Sequence, residues 1–250
     1  MDSTLLAVVV GAVLSGLGGL LVPAVIARIP EYVPDAAGVT DDADATVQSV
    51  PPVEEPPEPF PDIARLPGLG WKSAVVSAVA GAVVGAGLGW AWPLVMWVTL
   101  VPVAVALAVV DWRTRLLPTA VIRPTYAALV VLVLAGWAVT GDTDAAVRSA
   151  LGFLVAGGLY GLLWFIYPRG LGFGDVRLAG VLGIALGWLG WGQVLAGVYA
   201  GFLLGGVLGA LLSMLRIVER KGYPFGPFML VGSLVGVLWG AQLWSGLVAG

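Results

Sequence analysis

Two aspartates stand where carboxylates are expensive. Asp175 sits in "GLGFGDVRLAG" (residues 170–180), at the head of an apolar run. Asp111 sits in "VVDWRTRLLPTAVIRP" (residues 109–124), at the tail of another. Each has a bland explanation, a helix cap for Asp175 and an interfacial loop for Asp111. Each also has a chemical one. Two carboxylates within a few ångströms cannot comfortably both ionise, so the pair shares a proton. The ionised member can then draw a proton from water while the protonated one polarises a carbonyl. That chemistry cleaves a peptide bond without serine, cysteine, histidine or metal. The chain contains no His and no Cys, which removes thiolate nucleophiles, Cys/His zinc sites, haem ligation through His and every His-dependent triad. No cofactor and no metal are expected. The other acids outside a linker considered below offer no rival pair: Asp2, Asp142 and Asp144 fall at a terminus and in a loop, and Glu219 in a basic loop.

The neighbouring residues carry both readings. Gly172 and Gly174 lack a Cβ, so the backbone before Asp175 can turn sharply and a substrate strand can approach closely. With 37 Gly in the chain, a G-x-G-D arises by chance about 0.2 times. Glycine also packs membrane helices, so the motif alone is weak. Asp111 is followed by Arg113, Arg115 and Pro118. The arginines anchor at headgroups and Pro118 opens the next helix; the same guanidinium groups would keep a nearby carboxylate ionised. Pro102, in the same apolar run, should kink the helix or free a carbonyl. A third stretch, "ERKGYPFGPFML" (residues 219–230), places Pro224 and Pro227 around Phe225 and Gly226. Irregular backbone at the entrance to a span is tolerated when it is buried in protein or lines a cavity.

Membrane helices must position these groups. The chain is 59% hydrophobic and 11% charged, with a mean hydropathy of +0.99, too little polar cover for a soluble domain. A helix crosses the hydrocarbon core in about 20 apolar residues. Such runs cover residues 4–27, 73–92, 93–110, 120–140, 147–167, 175–191, 193–215 and 225–249. The predicted fold is an all-α polytopic membrane protein of about eight transmembrane helices. The first run follows Asp2, and its first positive charge is Arg28, so it reads as a span and not as a cleavable signal. With the N-terminus outside, eleven of the twelve Lys and Arg fall on the inner side and Arg148 alone on the outer, the expected cytoplasmic bias. Asp111 then closes an inward-running span and Asp175 opens an outward-running one, both at the cytoplasmic boundary. Residues 29–71 differ in kind. Runs such as "PPVEEPPEPFP" and "DDADA" predict a disordered acidic cytoplasmic linker, able to attract basic substrate segments. The expected organisation is a first transmembrane helix in 1–28, the linker in 29–71 and a seven-helix membrane core in 72–250. Nothing resembles a basic stripe for nucleic acid.

Taken together, "GLGFGD" followed by "VRL", "DWRTRLLP" and "YPFGPF", in their order and placement, resemble the motifs of the prepilin peptidases, the type IV leader peptidases of bacteria. The resemblance covers most of residues 72–250. It implies an aspartic endopeptidase with Asp111 and Asp175 as its catalytic pair. Its partners would be membrane lipid and pilin-like precursors carrying a short basic leader and an apolar N-terminal helix, cut after the glycine that ends the leader. The site would face the cytoplasm from a bacterial cytoplasmic (inner) membrane, serving a type IV pilus or protein secretion. Many family members also N-methylate the new N-terminus and carry a cysteine zinc cluster between their first two spans. Here the acidic linker takes that place without cysteine, and no S-adenosylmethionine pocket is legible, so peptidase activity alone is expected. Three other readings use the same residues or their neighbours. A presenilin-like intramembrane protease shares G-x-G-D. A transporter would use the two Asp as ion or proton ligands, with acids near mid-span and often an internal repeat. A serine–lysine hydrolase would be built on Lys72 or Lys221.

Overall fold

A computed structural model describes residues 2–31, 57–168, 171–215 and 224–248. Ten helices are described: α1 (Ser3–Gly19), α2 (Val22–Ala27), α3 (Phe60–Ala64), α4 (Leu69–Leu88), α5 (Pro93–Thr114), α6 (Thr119–Thr140), α7 (Thr143–Ile166), α8 (Phe173–Leu189), α9 (Trp191–Met214) and α10 (Gly226–Val248). There is no strand among the described residues. Six helical segments are long and apolar enough to cross a membrane: α1 continued by α2, then α4, α5, α6, α7 and α10. α9 adds a shorter apolar stretch, Trp191–Val207. The chain is therefore an all-α polytopic membrane protein. Each of the eight apolar runs read from the sequence overlaps a helix among the described residues, and six segments, against the eight spans expected, are long and apolar enough to cross. The first is broken at Leu20–Leu21, and Pro23 sits in the opening turn of α2, where its missing N–H is harmless.

Small residues let these helices approach each other. α1 lies against α4, α7 against α8 and α9 against α10. A methyl group on Gly19 would come within 2.6 Å of the Ser73 carbonyl oxygen. One on Gly187 would lie as close to that of Arg148, and one on Gly236 to that of Gln193. Backbone contact of this kind is how helices associate where lipid removes the hydrophobic incentive. α5 runs through the middle and touches α1, α2, α4, α6, α8 and α10. Its Pro102 sits inside the helix, and the ring fills the space a side chain at Gly18 would need, 2.5 Å from that Cβ position. α8, only 17 residues long, is enclosed by protein along residues 178–188.

Arg148, the lone cation assigned to the outer side, has a local reason to be there. It donates from α7 to the Gly187 and Trp188 carbonyls, at 2.8 and 3.0 Å. It thus caps the C-terminus of α8, where carbonyls lack helical partners and positive charge is favoured.

The linker expectation needs correction at its C-terminal end. Residues 60–64 form α3, and α4 begins at Leu69. Phe60 and Ile63, three apart on one helical face, are both buried, which gives this segment the apolar anchor its proline-rich neighbourhood hides. The acidic stretch at residues 32–56 lies outside the described residues. The ends of α2 and α5 and the starts of α6 and α8 converge, with Phe60 of α3, at one end of the bundle.

Candidate active site

Asp111 lies in the last turn of α5 and is 3% exposed. A carboxylate there opposes the dipole of its own helix. The compensation comes from elsewhere in the chain: the Gly226 N–H, at the start of α10, donates to Asp111 Oδ2 at 2.9 Å. Phe225 precedes α10 and its carbonyl accepts from Phe228 and Met229. Pro227, in the first turn, has no N–H to offer, so the Gly226 amide is the donor placed at the acid. Asp175 is held in a matching way by its own helix. Its Oδ2 accepts from the Gly172 N–H at 3.0 Å, while its own N–H donates to the Gly172 carbonyl at 3.0 Å. An acid in the first turn of α8 is also favoured by the dipole. Both carboxylates thus rest on amides at helix N-termini, charge-assisted bonds that fix their direction.

Both line one cavity of about 660 Å³. The turn after α5 shapes this cavity. Arg115 adopts left-handed backbone (φ 57°, ψ 24°) and its N–H closes the helix on the Asp111 carbonyl at 2.8 Å. Arg115 is the one non-glycine residue with positive φ among the described residues, a conformation that costs about 1–3 kcal/mol. It sends the chain back so that Leu117 wedges between two glycines. A Cβ on Gly174 would lie 2.8 Å from the Leu117 Cβ, and one on Gly226 would lie 3.5 Å from its Cδ2. Pro118 then precedes the first residue of α6 and its carbonyl accepts from Val121 and Ile122.

The glycines of the G-x-G-D stretch act through space, not through a sharp turn. Gly172 has φ −74° and ψ 146°, and neither it nor Gly174 has a positive φ. Gly174 is small because Leu117 occupies its side-chain position, and a Cβ on Gly172 would meet Asp175 Oδ2 at 3.3 Å.

Arg113, expected beside a catalytic carboxylate, pairs instead with Glu58. Its Nε and Nη2 reach Glu58 at 2.6 and 2.7 Å, a bidentate bond that holds the Glu58 carboxyl below its ordinary range. This pair ties the segment before α3 to the end of α5, and Phe60 of α3 lines the cavity. Arg115 lines the cavity as well. Pro224 is buried, and Phe225 packs against Phe202 and Tyr160 with ring centroids 5.6 and 6.2 Å away.

Several residues of the site escaped sequence reasoning. Glu31 and Phe60 line the cavity, and Leu117 separates the two glycine motifs. Arg177 donates to Thr119 Oγ1, linking the start of α8 to the start of α6. Its side chain lies over the Phe173 ring, and Tyr126 donates its hydroxyl to the Arg177 carbonyl. No spacing signals these partners, which are 51 and 58 residues away. The one legible hint was an arginine two residues from an acid at a span boundary.

Residues 98–214 match the model of the type IV leader peptidase family. The chain is 30% identical over 183 residues to the prepilin leader peptidase/N-methyltransferase of Aeromonas salmonicida, covering 72% of this chain and 60% of the relative. It is 30% identical over 186 residues to the protein of the same name from Aeromonas hydrophila, covering 73% and 61%. With that of Escherichia coli strain K12 it is 34% identical over 140 residues, 52% and 56%. The chain thus spans about 60% of the length of the Aeromonas relatives. No solved structure matches it significantly. The matched region contains both Asp111 and Asp175.

Proposed function

Since residues 98–214 make this chain a member of the type IV leader peptidase family, we propose that it is a membrane aspartic endopeptidase that removes the leader from pilin-like precursors, with Asp111 and Asp175 as the dyad. One observation carries the reading: two aspartates from separate helices, the pair singled out by the sequence, open onto one cavity and are each fixed by a helix N-terminal amide. A transporter reading draws no support from acids gathered at one end of the bundle.

The reaction divides between the two carboxylates. The ionised one accepts a proton from water as the water oxygen bonds to the scissile carbonyl carbon. The protonated one gives its proton to the carbonyl oxygen. The tetrahedral gem-diol collapses: one hydroxyl returns its proton to the carboxylate that gave one, the C=O re-forms, the C–N bond breaks, and the leaving amine takes the proton held by the other. The fixed amides at Gly172 and Gly226 hold the carboxylates in place, so little reorganisation is needed during the reaction. The bias of Lys and Arg toward the ends that meet at this site supports a cytoplasmic location for it, in a bacterial inner membrane. The acidic linker and Glu31 would favour a leader carrying positive charge.

The test is cleavage of a pilin-like precursor co-expressed with the protein, followed by the size shift of leader removal. Asp111→Asn and Asp175→Asn should each abolish the shift while leaving the protein folded in the membrane. Undiminished cleavage by either variant would refute the dyad.

A further inference from the structure

A second cavity, of about 300 Å³, lies between α2, α5 and α6 beside the dyad cavity. α5 forms its floor with Thr99, Leu100 and Val103; α2 and α6 form its walls. It shares Ile29 and Ala120 with the dyad cavity, so the two adjoin. A larger apolar groove between α6 and α7, and another between α4, α5 and α10, share no lining residue with the dyad cavity. The junction has a polar feature of its own. Pro124, inside α6, has no N–H for the Ala120 carbonyl four residues earlier. Ala120 lines both cavities, and its carbonyl lacks this helical donor.

We infer that the α2–α5–α6 groove seats the apolar segment of the precursor, just beyond the scissile bond, and guides that bond to the dyad. This rests on the peptidase reading above. Apolar side chains of a substrate helix leave lipid for the groove walls, where Ala120, Pro124 and Ala128 are small enough for close approach. The segment entering the dyad cavity unwinds, and the Ala120 carbonyl accepts one of its freed N–H groups. α2, which follows the break at Leu20–Leu21, contacts α5 and lines the groove with Val25.

The absence of cysteine allows a clean test. Ala128→Cys places a single thiol in the groove, and Val130→Cys places one in the rival α6–α7 groove. Each is combined with Asp175→Asn to retain substrate and oxidised in membranes with a pilin-like precursor bearing one cysteine in its apolar segment. Disulfide cross-linking at 128 and not at 130 is the expected result. In parallel, Ala128→Trp in the otherwise native protein should raise KM for the precursor by on the order of tenfold, with kcat held, equivalent to about 1.4 kcal/mol. Cross-linking at 130 alone, at both equally, or at neither while the native protein cleaves the precursor overturns the groove assignment and leaves the peptidase reading intact. Failure of the native protein to cleave any such precursor overturns the peptidase reading itself, and the groove assignment with it.

Discussion

Gly226→Ala separates the geometry of the dyad from the stability of the fold. The added Cβ would sit 2.7 Å from Asp111 Oδ2 and 3.3 Å from its Cγ, whereas ordinary contact begins at 3.4 Å. The carboxylate must therefore retreat by about 0.7 Å, the difference between 3.4 and 2.7 Å, an amount comparable to the 1 Å misplacement that can lower a rate 10²-fold. The colliding atom is the free end of a side chain, not backbone, so the helix packing can stay as it is. Turning the carboxylate away also stretches its 2.9 Å bond to the Gly226 amide. The expected outcome is a 10- to 100-fold fall in kcat, with a loss of stability of about 1 kcal/mol, the low end for overpacking. Gly158→Ala is the control, since a Cβ there meets nothing within 4 Å; it should leave cleavage unchanged. The assay pairs precursor cleavage in detergent micelles with thermal unfolding of the same preparations. Native cleavage rates in Gly226→Ala would refute the reasoning. So would activity and melting temperature falling in step, because the defect would then be global.

Two further outcomes follow from the surroundings of the dyad. The Glu58 carboxyl is held below its ordinary range by Arg113, so the pair contributes stability above that range and loses it as pH falls through the lowered value; with side chains 29% and 42% exposed, solvent screening limits this to less than about 1 kcal/mol. Thermal melts should show Glu58→Gln lower than the native protein by up to about 2–4 °C at pH 7, with the gap closing in acid, and a gap that widens in acid would contradict the sign. Thr119→Val removes the acceptor of Arg177, whose Nε already lacks a partner, and should cost about 1–3 kcal/mol; Thr119→Ser should restore it, which unfolding in denaturant can measure.

Asp111 and Asp175 were legible because their chemistry is rare in an apolar chain without His or Cys, and because hydropathy and charge place span ends reliably. The three local motifs were legible because each is continuous in sequence. What holds them together is not. Gly226 donates to an acid 115 residues away, Leu117 takes the space that Gly174 leaves, and Arg113 finds Glu58 across a segment that composition alone marks as linker. The role of Gly172 and Gly174 was misread for a related reason. Glycine in a motif announces freedom of φ and absence of a side chain equally, and only the position of a neighbour decides which one matters. Phe60 and Ile63 were hidden by the prolines and acids around them, although their spacing of three is a helical one.

The bond from Gly226 to Asp111 also sets a clock on synthesis. Asp111 leaves the ribosome 115 residues before its donor. At about 5–20 residues per second this is an interval of roughly 6–23 s. Throughout that interval the first acid is in the membrane without the amide that orients it. A nascent chain halted before α10 would carry both aspartates and still lack the amide that orients the first.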